Sequence, residues 1–192
     1  MPSGGMRIWA GLAILLVLTG CGGLADRIEF AGDVQAARDR TDRVLILDPT
    51  AFAAMPDSGS VRYGGHAVVV FGPAAAETSL LGQAWLTADF GSGQVSGGVD
   101  QVRGGTGPTD VQAYAGALTL DGRIGQRRAN SFDALLTGTL VGGGQTLVLS
   151  GRLLGDFRGP IGQAVVAGTT LALEATLNGM PIEARVRLMA EQ

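Results

Sequence analysis

The chain has 192 residues, a formal net charge of −3 and 46% hydrophobic residues, of which few are aromatic. This length is sufficient for one domain with its own hydrophobic core and, in addition, a targeting segment. The 14 basic residues are all arginine and form no cluster larger than a neighbouring pair, so the composition argues against a nucleic-acid partner. The 32 glycines favour many short strands joined by tight turns.

A short apolar segment at the amino terminus predicts export. Arg7 supplies a positive charge, and an apolar run follows from residue 8 to residue 18. The run is about half of the roughly 20 residues that a helix needs to cross a bilayer, which favours a secretory signal peptide over a transmembrane anchor. Met6 is an alternative start of the chain, because the signal layout begins there.

The end of the apolar run resembles a bacterial lipobox at all four positions, Leu18-Thr19-Gly20-Cys21. The resemblance implies cleavage before Cys21 and attachment of a diacylglyceryl group to its thiol. Two or three acyl chains would hold the protein permanently, because each buried methylene contributes about 0.8 kcal/mol. The family's sorting pattern associates Gly22, rather than Asp, with the outer membrane. We therefore predict a signal peptide over residues 1–20 and an outer-membrane lipoprotein anchored through Cys21.

Residues 21–51 are predicted to form a lipid-anchored tether that contains one short amphipathic helix. Phe30, Val34 and Ala37 recur at spacings of four and three between residues 29 and 40, with charged residues elsewhere. The apolar run 44–47 that follows is compatible with a strand or with the end of a buried element, and Asp48-Pro49 ends it.

Residues 52–192 are predicted to form an all-β domain, an eight-stranded antiparallel β-barrel. In the stretch 82–100, Leu86 and Ala88 alternate with Trp85 and Thr87, and a Gly-Ser-Gly turn at residue 91 precedes a second alternating arm, as in a β-hairpin. Similar segments recur between glycine-rich turns, and closing such a sheet removes its exposed edges. The predicted strands lie near 60–71, 83–90, 93–102, 111–120, 132–141, 145–154, 161–177 (with a bend) and 181–190.

Three stretches of this region resemble the barrel domain of transferrin-binding protein B-like surface lipoproteins. They are Met-Pro-Asp-Ser-Gly-x-x-x-Tyr-x-Gly from residue 55, the Ala-Trp-Leu-Thr-Ala-Asp-Phe-Gly-Ser-Gly hairpin from residue 84, and the Gly-Asp-Phe-Arg-Gly-Pro-Ile-Gly stretch from residue 155. The resemblance covers about residues 52–190. It implies a barrel, display at the cell surface through a dedicated lipoprotein export machinery, and a role in nutrient or metal acquisition. Gly162 to Gly168 lacks the glutamate of the family's pattern.

The sequence contains few of the residue combinations that catalytic sites use. His66 is the only histidine and Cys21 is assigned to the lipid, so no Cys/His pair, Ser-His-Asp set or multi-histidine metal site is expected. Asp89 and Asp100 allow a two-carboxylate glycosidase, but solvated charges are the simpler interpretation. The glycines at 142–144 lack the lysine of a phosphate-binding loop and are predicted to form a hairpin turn. We expect no enzymatic activity, no cofactor and no metal.

The only local positive patch lies in the longest predicted connection of the barrel, residues 122–130, which holds Arg123, Arg127 and Arg128. If the domain recognises an acidic partner, this loop is the expected partner-binding site, since loops carry much of the function of rigid scaffolds. The prediction is a non-enzymatic binding module for an external macromolecule. The alternatives are a lipocalin-like carrier of a small apolar ligand inside the barrel and a structural envelope lipoprotein.

Overall fold

The computed structural model describes residues 22–107, 110–169 and 173–192, and its first element is helix α1 (Gly22–Leu45). The helix contains the predicted segment 29–40 but extends beyond it at both ends. Its inner face consists of Phe30, Val34, Ala37, Thr41 and Val44, at alternating spacings of four and three. Ala37 and Val44 are buried on this face. Thr41 interrupts the apolar pattern. The sequence therefore predicts a shorter helix and does not decide whether the apolar run from Val44 is a strand or the end of a buried element.

Ten β-strands follow within the described ranges, and they lie within about five residues of the predicted bounds, the last two predicted strands each being divided in two. They are β1 (Ser60–Phe71), β2 (Thr78–Asp89), β3 (Gln94–Gly105), β4 (Gln112–Ile124), β5 (Ser131–Gly142), β6 (Gln145–Arg158), β7 (Ala164–Gly168), β8 (Glu174–Leu177), β9 (Met180–Ile182) and β10 (Ala184–Glu191). Short 3₁₀ turns, Phe52–Ala54 and Ala74–Ala76, precede β1 and β2.

The strands close into an eight-stranded antiparallel barrel, as predicted. Strands β1 to β6 pair consecutively, and β10 joins β1 to β7. Strand β6 pairs with β7 through residues 154–158 and with β8 through residues 147–150. Strands β7 and β8 therefore share one wall position beside β6, and β9 and β10 share the next. The bend predicted within 161–177 falls between β7 and β8, where residues 170–172 lie outside the described residues.

The two ends of the barrel are built from different loops. One end, here called the glycine rim, consists of the described loop residues 72–77, 106–107, 110–111, 143–144 and 178–179. The other end, the arginine rim, consists of the loops 90–93, 125–130 and 159–163 and of the segment 46–59 that precedes β1.

Helix α1 runs along the outside of the barrel from the glycine rim to the arginine rim. Near the glycine rim, Arg103 Nη2 donates a hydrogen bond to Glu29 Oε1 at 2.8 Å. At the arginine rim, Arg158 Nη1 donates to the Leu47 carbonyl, just after the helix, also at 2.8 Å. Among the described residues, no helix has both the length and the hydropathy needed to span a membrane.

Side chains fill the interior of the barrel. The buried residues form one continuous cluster, whose largest members are Tyr63, Phe132 and Phe157. The Phe157 ring centroid lies 6.2 Å from that of Tyr63 and 5.7 Å from that of Phe132. Gly155 provides the space for this cluster, because a Cβ atom there would collide with the Phe132 ring. An eight-stranded barrel is just wide enough to be packed in this way.

Candidate functional site

The predicted arginine loop over residues 122–130 is shorter in the structure: residues 125–130 connect β4 to β5 at the arginine rim, and Arg123 lies in β4 opposite Gln94, because the strand pairing extends to Ile124. Arg123, Arg127 and Arg128 are all exposed. Arg128 Nη2 contacts Asp156 Oδ1 at 3.0 Å, whereas Arg123 and Arg127 have no ion-pair partner within 4.0 Å in the described part of the chain. The structure therefore brings the three arginines to one end of the barrel and leaves two of them available to a partner.

The loop that holds Arg127 and Arg128 is ordered by its own hydrogen bonds. The Ser131 hydroxyl accepts a hydrogen bond from the Arg128 amide at 3.1 Å and contacts the Arg128 carbonyl at 2.9 Å. The amide of Gly125 donates to the Ser131 carbonyl at 2.8 Å, which closes the base of the loop. A preorganised loop loses less conformational entropy on binding than a flexible one.

The segment 46–59 covers the barrel end beside the arginine loop. Thr50 is buried at its centre, and its hydroxyl donates to the Gly159 carbonyl at 2.8 Å. Asn130, the last residue of the arginine loop, donates from Nδ2 to the Thr50 carbonyl at 2.7 Å. This end of the barrel is thus closed, and a partner would meet its surface rather than enter the interior.

Exposed apolar side chains accompany the arginines on this rim. Ile46, Phe52 and Ile161 are 81%, 60% and 61% exposed. Arginine and aromatic side chains such as Phe52 are enriched in protein contact surfaces. The sequence analysis did not select these three residues. The signal for Ile161 was present, because an apolar residue stands alone between glycine and proline in a loop.

His66 lies on the outer surface of β1 beneath helix α1, as a packed histidine. It is 6% exposed, and the distance between its Nε2 atom and Thr41 Oγ1 is 3.2 Å. Burial lowers its pKa to about 4, and the nearby Arg40 contributes in the same direction. His66 lines three cavities of about 610, 540 and 480 Å³ that flank the helix outside the barrel. Within the described ranges, no three His, Cys, Asp or Glu side chains gather as metal ligands.

Asp89 and Asp100 lie far apart. In the β2–β3 pairing Asp89 is opposite Gln94, whereas Asp100 is opposite Gln83. Six residues along a strand span roughly 20 Å, about twice the largest carboxylate separation used by glycosidases. Asp89 accepts a hydrogen bond from the Ser92 amide at 3.0 Å, which lowers the pKa of its carboxyl group. Asp89 therefore stabilises a turn, and the two-carboxylate alternative loses its geometric basis.

The fold also shows where the glycine-rich turn at 142–144 and Trp85 lie. Gly143 and Gly144 form the β5–β6 hairpin turn with φ angles of 58° and 72°, as expected of a tight hairpin. Trp85 lies on the outside of the barrel, 37% exposed, and stacks beneath the Arg62 guanidinium at 5.6 Å from the ring centroid. Cys21, the predicted lipidation site, lies outside the described residues.

Comparisons with known proteins find similarity only among solved structures. No protein-family model matches the chain, and no curated protein matches it significantly. Two similar structures are alanine mutants of the vaccine antigen transferrin binding protein B from Haemophilus parasuis Hp5, both 16% identical, with TM-scores of 0.49 and 0.48. A third is intact Ap-TbpB with its N and C lobes, 15% identical, with a TM-score of 0.48. Each match covers 76% of this chain and 28% of the other chain, so this chain spans about a quarter of the proteins it resembles.

Proposed function

We propose that this chain is a lipid-anchored outer-membrane lipoprotein whose barrel is a non-enzymatic binding module, with the arginine rim as the contact surface for an external macromolecule. A role in nutrient or metal acquisition, after delivery by lipoprotein export machinery, belongs to the same proposal. It is supported by the sequence motifs of residues 55–65, 84–93 and 155–162.

The observation that carries the proposal is that the start of α1 and the arginine loop lie at opposite ends of the barrel. Helix α1 starts immediately after Cys21 in the sequence and reaches the glycine rim near Arg103. The arginine loop lies at the opposite end of the barrel, where its last residue, Asn130, bonds to Thr50. An anchor at Cys21 would therefore hold the glycine rim close to the membrane and present the arginine rim on the far side.

The chemistry of the arginine rim favours an acidic partner. Arg123 and Arg127 offer guanidinium groups that bind carboxylates or sulfates in bidentate geometry. Phe52 and Ile161 add exposed apolar surface on the same rim. Charged groups that surround apolar contacts increase both association rate and specificity.

The packed interior weighs against the carrier alternative. Leu136, Leu140 and Leu153 are fully buried inside the barrel together with the aromatic cluster. The three cavities around His66 lie between the helix and the outer wall. The observed packing therefore provides no support for a lipocalin-like internal site. A purely structural envelope role remains the other alternative.

Labelling of intact cells tests the orientation. Arg127→Cys places a thiol at the arginine rim, and a maleimide coupled to a polymer too large for outer-membrane pores reports its exposure. We expect labelling in intact cells, with a periplasmic marker protein left unlabelled. Labelling only after lysis would contradict surface display. The unmodified chain is the matched control, because its only thiol, Cys21, should stay unlabelled even in lysed cells if it carries the lipid.

A binding measurement tests the role of the arginines, with heparin as the acidic macromolecule. Arg123→Gln combined with Arg127→Glu should weaken binding about tenfold or more, which corresponds to about 1.4 kcal/mol. Arg38→Gln combined with Arg187→Glu makes the same charge change at exposed positions away from this rim and should bind like the unmodified chain. Equal losses in both variants, or no binding by the unmodified chain, would contradict the arginine rim as an acid-recognising surface.

A further inference from the structure

In the described residues, the chain that follows the proposed lipidation site is helical from Gly22 onward. Gly22, the first described residue of α1, follows Cys21 directly. A helix rises about 1.5 Å per residue, so about 10 Å separates Gly22 from Glu29, which is already bonded to the barrel through Arg103. With the anchor of the proposed function in place, the glycine rim would be held within a few turns of helix from the bilayer.

The first turns of α1 expose apolar side chains at this end. Leu24 and Ile28 are 65% and 66% exposed. They are four residues apart and therefore project from the same side of the helix. Arg27 lies beside them and lines a cavity together with Gly105, the last residue of β3, and Gly107 of the glycine rim. An apolar pair with an adjacent arginine is the composition expected of a helix that contacts a lipid surface. Asp26, also exposed here, is close enough to Arg103 to help raise the pKa of that guanidinium.

The glycine rim itself carries few charges. The described loop residues contain two, Glu77 and Asp110. Glu77 accepts a hydrogen bond from Arg185 at 2.8 Å, and Asp110 accepts hydrogen bonds from Thr106 and Gln112. The exposed alanines 74–76 and the 67% exposed Met180 make up much of the remaining surface.

The barrel wall next to this rim is also uncharged on the side away from the helix. The outward side chains of β4, β5 and β6 near the glycine rim are Ala113, Ala115, Thr139, Val141, Thr146 and Val148. The charged side chains of the same three strands are Asp121, Arg123, Asp133, Arg152, Asp156 and Arg158, all in the half toward the arginine rim. In these three strands the charges therefore lie only in the half toward the arginine rim. On the other wall strands, Arg103 and Arg185 near the glycine rim are paired with Glu29 and Glu77, and Glu174 and Glu183 add two further charges in the same half.

We propose that the glycine rim, together with Leu24 and Ile28, rests on the surface of the lipid bilayer that holds the anchor. The seating depends on the lipid anchor of the proposed function. Apolar side chains gain free energy by leaving water, whereas charged groups lose it, so the sparsely charged rim loops and the uncharged adjoining part of β4, β5 and β6 face the lipid. The two contacts cooperate, because the anchor raises the effective concentration of the rim at the membrane.

Site-directed fluorescence on the full lipidated chain tests this seating. Met180→Cys places a thiol on the glycine rim, and Gln126→Cys is the matched control on the arginine rim. Each is labelled with an environment-sensitive fluorophore and reconstituted with vesicles of phosphatidylethanolamine and phosphatidylglycerol that contain a headgroup-depth quencher. We expect quenching at least about twofold stronger at Met180→Cys than at Gln126→Cys, with a blue shift only at Met180→Cys.

A second variant links the effect to the helix. Ile28→Glu, in the background of Met180→Cys, should reduce the quenching, because a carboxylate at the lipid surface opposes the seating. Ala36→Glu adds the same charge at an exposed position farther along α1 and should leave the quenching unchanged.

Each outcome decides between explanations. Vesicle-bound protein with equal quenching at both labelled positions would overturn the seating and leave the anchor intact. Protein that does not sediment with vesicles would instead overturn the lipid anchor of the proposed function. A blue shift at Met180→Cys that appears without vesicles and grows with protein concentration would assign the rim to a second copy of the chain, which also overturns the proposal.

Discussion

Thr41 on α1 and His66 on β1 meet where the helix crosses the barrel wall, with 3.2 Å between Thr41 Oγ1 and His66 Nε2. The helix covers the imidazole, and His66 Nδ1 is buried without a hydrogen-bond partner among the described residues. Such a site disfavours the charged imidazolium. Burial is the main cause of the low pKa of about 4; Arg40 lowers the pKa further, and Glu191 opposes the shift.

His66 should make the folded state less stable as the pH falls. The unfolded chain binds the proton near pH 6.5 and the folded chain only near pH 4, so stability is lost between these values and the loss is complete below them. At pH 5 the loss is about 2 kcal/mol relative to neutral pH. Urea unfolding at pH 7.5 and pH 5 measures it. His66→Gln retains the other titrating groups, and an equal pH dependence in this variant would contradict the assignment.

Gly64 has space for a side chain, whereas the neighbouring Gly65 does not. A Cβ atom at Gly65 would collide with the Met189 carbonyl oxygen and with Ala190, whereas one at Gly64 would meet nothing within 4 Å. We expect Gly65→Ala to lower the free energy of unfolding by roughly 1–3 kcal/mol. Gly64→Ala should change it by less than about 0.5 kcal/mol. Denaturant unfolding of both variants gives the comparison, and similar values would show that the β1–β10 pairing differs from the one described.

Tyr63 ties β1 to the loop between β6 and β7. Its buried hydroxyl donates to the Gly162 carbonyl at 2.6 Å. Tyr63→Phe removes this bond and should cost about 1–2 kcal/mol of unfolding free energy. Tyr114→Phe is the control, since no hydrogen bond is found for the Tyr114 hydroxyl within the described ranges, and its cost should be smaller. A Tyr63→Phe variant as stable as the unmodified chain would refute the hydrogen bond.

Asn130 should hold the segment 46–59 against the arginine rim. Its Nδ2 atom donates to the Thr50 carbonyl, and Asn130→Ala leaves that carbonyl without this donor. We expect faster proteolytic cleavage within residues 51–59, because local opening governs cleavage of a covered segment. Asn178→Ala, in the β8–β9 turn at the opposite end, should leave the cleavage rate of this segment unchanged. Mass spectrometry of the first fragments would locate the cut in each variant.

The wall strands were predictable because their signals are local. Side chains alternate with period two along β2 and β10, and turns such as Asn178-Gly179 require backbone angles that few residues adopt. Asn178 and Gly179 have φ angles of 51° and 81°, as the pair predicts. The extent of α1 was less predictable, since Thr41 occupies a position in its apolar face and only the contact with His66 explains why a polar residue is accommodated there.

The candidate site was predicted only in part. Arg123, Arg127 and Arg128 are close in sequence, so their grouping follows from the chain itself. Other features of the site depend on how the strands are arranged around the barrel. These are the distance of the arginines from the start of α1, the presence of Phe52 and Ile161 on the same rim, and the separation of Asp89 from Asp100.

The sequence by itself determined the antiparallel barrel, the positions of its turns and the arginine loop. Alternation and turn chemistry act between residues that are adjacent or nearly adjacent along the chain. The tertiary structure alone decided that α1 covers His66, that the interior is filled by side chains and that the charged side chains of β4, β5 and β6 lie together in the half toward the arginine rim. These properties arise from barrel closure and from packing between residues distant in sequence, whose register and burial no local pattern specifies.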